Sequence, residues 1–181
     1  MTPEFKYDWF SPILVDMTTF TPKDCKRILE IGSFEGQSTR FFCDHCSSAE
    51  LTCVDHFQGG EDQQSLDLNE LEDRFRRNVD EFKHRIIVHV MSSWEAWRLF
   101  STGHFDLVFV DGSHLAPDVL NDLCQAYRCV RQGGTIIADD YSWENQRKDC
   151  PMVAITALLN CFKGRIRPIH FDRVAVMKKV C

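Results

Sequence analysis

The sequence has 181 residues, a formal net charge of −6 and a hydrophobic content of 44%. This length suits one well-cored domain and leaves no room for a separate substrate domain. The acidic balance argues against a nucleic-acid surface, and no apolar run approaches the roughly 18 residues of a membrane span. The N-terminus lacks the basic start and apolar stretch of a signal peptide, so we expect a cytoplasmic protein.

Nine cysteines, an odd number, are scattered along the chain. Without a secretion signal, this usage indicates free thiols in a reducing compartment. The segment Cys43-Asp44-His45-Cys46 has no second cysteine pair at zinc spacing, so we expect it to be structural.

Along the chain, residues 1–26 form an N-terminal lid or helical segment, and residues 27–181 form the core of a single domain. Short β-branched or aromatic runs in this core end at Gly, Asp or Ser, as buried parallel strands do. These runs cover residues 27–31, 51–54, 86–90, 105–110 and 135–138.

Helical stretches separate the strands, and each has one apolar stripe for a sheet face. We expect Gly133-Gly134 to end the helix before the fifth strand, and a further helix over 151–162. The last two segments, 165–170 and 173–179, should pair as an antiparallel hairpin. The sequence therefore predicts an α/β domain with a mostly parallel seven-stranded sheet, an antiparallel C-terminal hairpin strand and helices on both faces.

The first strand runs into a sharp turn that contains Gly32 and Gly36. Asp55 ends the next apolar run, and an acid at this spacing usually binds the two hydroxyls of a ribose. The turn departs from a dinucleotide loop because Phe34 replaces its middle glycine and Glu35 adds negative charge where a phosphate would lie. The cofactor should therefore contain adenosine but no phosphate.

S-adenosylmethionine (SAM) meets both conditions. Its sulfonium and ammonium groups are cations that a carboxylate such as Glu30 can attract. Ser93 and Trp94 follow the third strand, where Ser93 can contact an adenine and Trp94 either covers that adenine or packs into the core.

Three carboxylates come from neighbouring strand ends, because Asp111 follows the fourth strand and Asp139 and Asp140 follow the fifth. Together they would repel one another unless they were protonated or bridged by a cation. Oxygen ligands suit Mg²⁺ or Mn²⁺, so the sequence predicts such a metal site. The alternative is that Asp111 and Asp140 cap the segments that follow them.

His114 lies three residues after Asp111, and an imidazole can remove a proton near neutral pH. It is our candidate catalytic base, with a surface or helix-capping histidine as the alternative. The aromatic residues that could wall an acceptor site are Tyr141, Trp143 and the segment Tyr7-Asp8-Trp9-Phe10.

Residues 28–39, 109–114 and 133–141 carry the motifs E-x-G-S-F-E-G, V-D-G-S-H and D-D-Y in this order. With them the chain resembles class I SAM-dependent methyltransferases over nearly its whole length. It is also similar to metal-dependent catechol and sugar O-methyltransferases in its acid after strand four and its acidic pair after strand five. The second acid, Asp140, matches the sugar enzymes, whereas the catechol enzymes have Asn there.

The resemblance implies a role for each matching residue. His114 falls where the catechol enzymes place a lysine base, and Asp111 joins it as a catalytic residue. The implied SAM contacts are Glu30, Gly32, Phe34, Ser38, Asp55, His56, Ser93 and Trp94, and the implied metal ligands are Asp111, Asp139 and Asp140. The N-terminal helices of larger relatives are missing, so the acceptor pocket is either open or completed by another subunit.

We therefore expect a metal-dependent SAM O-methyltransferase that modifies a hydroxyl of a sugar or glycan, with a small molecule or a glycan as its acceptor. The expected assembly is either a homo-oligomer or one part of a longer multidomain glycan-modifying chain. The alternatives are a metal-independent enzyme that acts on a catechol-like hydroxyl and a non-catalytic SAM-binding domain. An NAD-dependent oxidoreductase is disfavoured because the phosphate loop is absent.

Overall fold

The computed structural model describes residues 2–60, 63, 65–143 and 148–181. The strands of this part of the chain are β1 (Arg27–Ile31), β2 (Glu50–Asp55), β3 (Ile86–Val90), β4 (Phe105–Val110), β5 (Val130–Ala138), β6 (Ile166–Phe171) and β7 (Ala175–Lys179). The α-helices are α1 (Leu14–Phe20), α2 (Gln37–His45), α3 (Leu71–Val79), α4 (Ser93–Ala96), α5 (Ala116–Cys129) and α6 (Pro151–Cys161). Short 3-10 helices cover Ser11–Ile13, Asp80–Arg85 and Trp97–Leu99.

The strands form one sheet in the order β3-β2-β1-β4-β5-β7-β6. Strands β1 to β5 pair in parallel, and β7 runs antiparallel between β5 and β6. The predicted sheet and its C-terminal hairpin are therefore confirmed. The strand order reverses between β1 and β4, where open α/β sheets have a ligand crevice beyond the carboxyl ends of their strands.

Alternating side chains of the strands build a core on each face of the sheet. Leu29 of β1 belongs to the cluster that also holds Leu123 of α5 and Leu158 of α6. Its neighbour Ile28 points to the other face, where it joins Phe42 of α2 in a second cluster. Burying each such side chain stabilises the fold by about 1.5–3 kcal/mol relative to leaving it in water. Helices therefore cover both faces, as predicted.

The prediction that Gly133-Gly134 ends a helix is wrong. The helix ends at Cys129, and both glycines lie inside β5, whose pairing with β4 shifts register between Phe105 and Leu107. A Cβ on Gly134 would lie 2.8 Å from the carbonyl oxygen of Asp106. Glycine is needed here because the backbones of the two strands approach closely at an irregularity in their pairing. Two adjacent glycines occur both at helix ends and at such irregularities, so the sequence alone does not distinguish the two.

All nine cysteines are free. Cys43 and Cys46 are both buried in the core cluster under α2, which agrees with a structural role for this segment. None of the helices in the described part of the chain combines the length and apolar character needed to cross a membrane.

Candidate active site

The turn between β1 and α2 depends on two glycines in the left-handed region of the backbone. Gly32 has φ +83° and Gly36 has φ +87°. A Cβ on Gly32 would lie 1.9 Å from the carbonyl oxygen of Asp111, so the turn lies directly against the loop after β4. Backbone hydrogen bonds from Gly32 to Val54 (2.9 Å) and from Asp111 to Ile31 (2.8 Å) join the ends of the three central strands.

Asp55 holds this turn from the end of β2. Its Oδ2 accepts hydrogen bonds from the backbone amides of Ser33 and Phe34, both at 2.8 Å, and its Oδ1 accepts one from Phe57 at 2.6 Å. A carboxylate has about four acceptor positions, so one position remains for a ligand hydroxyl. A structural role is thus visible for Asp55, and its contact with a ribose stays a prediction.

Glu30 lies beneath the turn and does not line the cavity. Its side chain is fully buried, and its Oε2 accepts hydrogen bonds from the hydroxyls of Ser33 (2.6 Å) and Thr39 (2.5 Å). Burial raises the pKa of this carboxyl, and the surrounding hydroxyls oppose that shift. In this structure Glu30 therefore supports the turn from below.

The charge of Glu35, which the sequence argument placed in the cofactor turn, is compensated. Glu35 is 1% exposed, and its Oε1 accepts a hydrogen bond from Arg74 Nε at 3.0 Å. Its Oε2 accepts hydrogen bonds from the backbone amides of Lys6 (2.8 Å) and Tyr7 (3.2 Å). These contacts fix the N-terminal segment 4–10, which we call the strap, over the cofactor turn.

The strap brings aromatic rings to the mouth of the cavity. Trp9 stacks on Phe34 with ring centroids 4.7 Å apart, and Tyr7 stacks on Trp9 at 5.5 Å. Trp9 remains 47% exposed. Phe34 has a left-handed backbone (φ +46°), which turns its ring toward the strap. Asp8, Trp9 and Phe10 line the cavity, whereas Tyr7 does not. Their role as a wall of the acceptor site stays a prediction.

At the ends of β4 and β5, the structure gathers an imidazole and two carboxylates. One ligand atom each of Asp111, His114 and Asp140 lies within 4.8 Å of the other two. His114 Nε2 lies 2.7 Å from Asp140 Oδ2, and the His114 ring packs against Trp143 at 4.4 Å. His114 thus takes the place in this cluster that the sequence prediction gave to Asp139.

Asp139 lies beside the cluster, and its Oδ1 accepts a hydrogen bond from the backbone amide of Asp140 at 2.8 Å. Burial raises the pKa of Asp139 to about 7, and the charge of Asp140 adds to the shift. Burial also raises the pKa of Asp111 well above its usual range, and Asp139 and Asp140 increase that effect. The site therefore concentrates negative charge that a cation would stabilise.

The capping alternatives are not seen in the described helices. The N-cap residue is Leu115 in α5 and Cys150 in α6, and neither helix has a side-chain hydrogen bond at its N-cap. Asp140 instead adopts a left-handed backbone with φ +57°. Asp tolerates this conformation better than most residues, and such strain is concentrated at functional sites.

His56 follows β2, Ser93 and Trp94 follow β3, and all three line the same cavity. Trp94 is 59% exposed and donates from Nε1 to Asp118 Oδ1 at 3.3 Å, so it is not a core residue. The tryptophan of this segment that is buried in the core is Trp97. Of the expected aromatic wall residues, Tyr141, like Tyr7, does not line the cavity. Tyr141 packs against Phe171 at 5.0 Å.

Residues of the strap, of the turn between β1 and α2 and of the strand ends surround one cavity of about 1230 Å³. The predicted site residues that line it are Gly32, Phe34, Ser38, Asp55, His56, Ser93, Trp94, Asp111, His114, Asp139 and Asp140. Sequence reasoning missed Asp122, a buried acid that also lines the cavity. Its signal was present, because Asp122 interrupts the apolar stripe that Val119 and Leu123 form on α5.

The sequence and the fold of this chain are similar to those of known methyltransferases. A family model described as "Methyltransferase domain" matches residues 29–141. The uncharacterized protein R132 of Acanthamoeba polyphaga mimivirus is 27% identical over 166 residues, which cover 88% of this chain and 72% of that protein.

Two solved structures share the fold. The O-methyltransferase TomG of Streptomyces achromogenes, involved in tomaymycin synthesis and solved with SAM, has a TM-score of 0.67 at 16% identity, over 99% of this chain and 82% of that one. An O-methyltransferase of Bacillus cereus, solved with SAH, has a TM-score of 0.69 at 15% identity, over 100% and 84% of the two chains.

Proposed function

This chain belongs to the methyltransferase-domain family, and on that premise we propose that it transfers a methyl group from SAM to a hydroxyl of a sugar or glycan. It is a SAM-dependent methyltransferase with an O-methyltransferase-like fold. The observation that carries the proposal is the cluster of Asp111, His114 and Asp140, because it combines a proton acceptor with carboxylates at the ends of β4 and β5.

The donor side of the site suits a cationic cofactor. Asp111 lies directly across the backbone from Gly32, where the cofactor turn begins. Its raised pKa reflects burial and repulsion from neighbouring acids, and a bound sulfonium or ammonium group would relieve both. We propose that Gly32 to Ser38 bind the methionine part of SAM, that Asp55 and His56 bind its ribose, and that Ser93 and Trp94 bind its adenine.

His114 is the proposed general base. In this role its imidazole accepts the proton of the acceptor hydroxyl while the oxygen attacks the methyl carbon in line with the departing sulfur. Asp140, 2.7 Å from Nε2, stabilises the imidazolium that forms, and Trp143 fixes the plane of the ring. The methyl transfer leaves S-adenosylhomocysteine (SAH) and a methyl ether.

The carboxylates also fit a divalent cation, which we propose to be Mg²⁺ or Mn²⁺ held by Asp111, Asp139 and Asp140. One ligand atom each of Asp111, His114 and Asp140 lies within 4.8 Å of the other two, so Asp111 and Asp140 can share one ion at the usual 2.0–2.6 Å distances. Asp139 precedes Asp140 in the chain and lies beside this group. The mutual repulsion of these acids supports a cation at this place. When bound, such an ion would lower the pKa of a coordinated hydroxyl.

The size and lining of the cavity support a sugar acceptor beside SAM. Small-molecule sites usually occupy about 300–1,000 Å³, and this cavity of about 1230 Å³ leaves room for a second molecule next to the cofactor. Trp9 and Trp143 offer aromatic faces, and the exposed Asp172 and Arg173 offer polar contacts. A sugar presents both apolar C–H faces and hydroxyl groups, so a sugar or glycan matches this lining.

A metal-independent transfer to a catechol-like hydroxyl is the second candidate. The observation that favours it is the direct contact of His114 with Asp140, since an imidazole paired with a carboxylate can act as a base without a metal ion.

The test is a transfer assay with tritiated methyl-SAM and a panel of monosaccharides, oligosaccharides and catechol. Each acceptor is assayed after EDTA treatment, with and without added Mg²⁺ or Mn²⁺, and products are checked by mass spectrometry. We expect one methyl group on a sugar hydroxyl, loss of transfer in EDTA and recovery with metal. Transfer to catechol that is insensitive to EDTA would support the second candidate.

The matched variant for this assay is Asp111→Asn, which should abolish transfer. If wild-type protein binds SAM but modifies no acceptor of the panel, the non-catalytic domain becomes the better account. We also propose that the protein works in the cytoplasm, in keeping with its nine free cysteines.

A further inference from the structure

One strongly basic side chain lines a cavity that is otherwise rich in acids. Within the described part of the chain, Arg173 is the only arginine or lysine among the residues that line this cavity. It lies in the turn between β6 and β7, and it is exposed. Its guanidinium group is therefore accessible to a molecule that enters the cavity.

The pairing of β5 with β7 brings this arginine to the acidic cluster. Ala175 of β7 pairs with Ala138, which directly precedes Asp139. Beyond this pair, the backbone amide of Tyr141 donates a hydrogen bond to the carbonyl oxygen of Arg173 at 2.8 Å. The backbone of Arg173 is thus fixed beside the segment that carries the acidic residues after β5.

The guanidinium group acts on these acids through its charge but forms no direct contact with them. Burial raises the pKa of Asp139, and the positive charge of Arg173 is among the influences that oppose this rise. Among the residues that the structure describes, the Arg173 side chain has no hydrogen bond or ion pair. Asp140 is paired instead with His114, at 2.7 Å. The donors of Arg173 are therefore available to a ligand.

The chemistry of arginine favours an anionic partner. A guanidinium group carries five N–H donors in a planar fork, and two of them match the paired oxygens of a carboxylate or phosphate. The acids of the cavity compete little for this group, because they have partners of their own. Asp55 accepts three backbone amides, and Glu35 is paired with Arg74.

We propose that Arg173 binds an anionic group of the acceptor, either a carboxylate or a phosphate, and thereby selects acidic sugars over neutral ones. The inference rests on the proposed function, because it takes the acceptor to be a sugar whose hydroxyl lies at His114. Trp143 packs against His114 at 4.4 Å and lines the same cavity as Arg173. In this arrangement the sugar ring lies against Trp143, and its anionic group lies at Arg173.

Steady-state kinetics with matched neutral and acidic sugars test this inference. The acceptors are glucose with glucuronate and glucose 6-phosphate, and galactose with galacturonate and galactose 6-phosphate. In wild-type protein, kcat/KM should be about tenfold higher for the preferred acidic sugar than for its neutral counterpart, the usual effect of a hydrogen bond to a charged group. The uronic acids and the sugar phosphates distinguish a carboxylate from a phosphate as the recognised group.

Arg173→Gln removes the charge and the planar fork of donors. The ratio of kcat/KM between acidic and neutral sugar should fall by about tenfold in this variant, chiefly through a higher KM for the acidic sugar. Arg173→Lys keeps the charge without the fork, so it should recover part of the ratio. Both variants are expected to fold, because Arg173 is exposed.

Arg165→Gln is the matched control on the same hairpin. Arg165 is exposed, directly precedes β6 and does not line the cavity. The ratio of kcat/KM between acidic and neutral sugar should stay unchanged in this variant. A ratio that falls equally in both glutamine variants would overturn the role given to Arg173.

The carboxylate of the methyl donor is the competing partner for this guanidinium group. Isothermal titration calorimetry with SAH distinguishes the two, because SAH carries the same carboxylate. We expect Arg173→Gln to bind SAH as tightly as wild-type protein does. A loss of about tenfold in SAH affinity, the effect of one hydrogen bond to a charged group, would assign Arg173 to the donor and overturn the inference.

The kinetic results also separate this inference from the proposed function. Transfer to neutral sugars that is as efficient as transfer to acidic ones, or more efficient, would overturn the inference and leave the proposed function intact. Failure of wild-type protein to methylate any sugar would contradict the proposed function itself.

Discussion

At the scale of single residues, the chemistry depends on side chains that parallel strands bring to one edge. The sequence predicted that Asp111, Asp139, Asp140 and His114 would meet, because each follows the carboxyl end of β4 or β5. It did not predict which atoms face one another. The left-handed backbone of Asp140 turns its carboxylate toward His114 and leaves Asp139 beside the cluster.

The first prediction concerns the base. His114→Ala should lower the rate of methyl transfer to the sugar acceptor by roughly 10²–10⁴-fold, the usual contribution of a general base. The affinity for SAH, measured by calorimetry, should change little because the donor side stays intact. His84→Ala is the control, since His84 is exposed on the 3-10 helix after α3. Equal rates in both variants would exclude His114 as the base.

The second prediction concerns the free energy of unfolding, which the ionisation of Asp122 lowers at neutral pH. Its folded pKa of about 6 lies above the ordinary value of 3.8, so its ionisation destabilises the folded state as pH rises through 6. At about 1.36 kcal/mol per pKa unit, the loss is about 3 kcal/mol at pH 8 and absent below pH 3.8. Asp122→Asn removes this ionisation.

Urea unfolding at several pH values measures the effect. Relative to wild type, the free energy of unfolding of Asp122→Asn should increase by about 3 kcal/mol between pH 4 and pH 8. A difference that does not change with pH would mean that Asp122 titrates normally.

At the scale of elements, the turn between β1 and α2 sets the shape of the donor site. The sequence predicted its glycines because few other residues adopt such a turn. It could not predict that Asp55 would hold the turn through three backbone amides, or that Glu30 would be buried beneath it. Both acids end or lie within strands, and only the packing of the turn decides which one faces the cavity.

The third prediction belongs to this turn. Gly32→Ala should lower the free energy of unfolding by at least about 3 kcal/mol, because a Cβ there meets the Asp111 carbonyl in addition to the unfavourable φ. Gly164→Ala is the control, since Gly164 has φ +79° with nothing within 4 Å of its Cβ position. The control should lose only about 1–2 kcal/mol. Equal losses in urea unfolding would show that the close contact is unimportant.

At the scale of the whole molecule, the strap joins the N-terminus to the donor site through side chains far apart in the sequence. Glu35 and Arg74 are 39 positions apart and both almost fully buried. No sequence pattern predicts this pair, because buried ion pairs do not recur at a regular spacing and Arg74 lies on a helix with several other charged residues. The fold itself was predictable because apolar runs and stripes follow the strand and helix periods throughout the chain.

The fourth prediction tests the strap. Arg74→Ala leaves Glu35 buried without its cation and should lower the free energy of unfolding by about 3–5 kcal/mol. The backbone amides of Lys6 and Tyr7 donate hydrogen bonds to Glu35, and their hydrogen exchange should become faster in this variant. Arg76→Ala is the control on the same helix, because its exposed pair with Glu72 contributes at most about 0.5 kcal/mol. Unchanged exchange in Arg74→Ala would mean that the pair does not hold the strap.

The central claim is that the donor lies along the carboxyl ends of β1 to β4, with its sulfur toward the acidic cluster. A crystal structure of the protein with SAH tests this claim most directly. We predict that the adenine lies beside Ser93 and Trp94, and that the sulfur faces Asp111 and His114. SAH bound away from the cavity that Gly32 and Asp111 line, or bound there with its sulfur turned away from His114, would contradict the account.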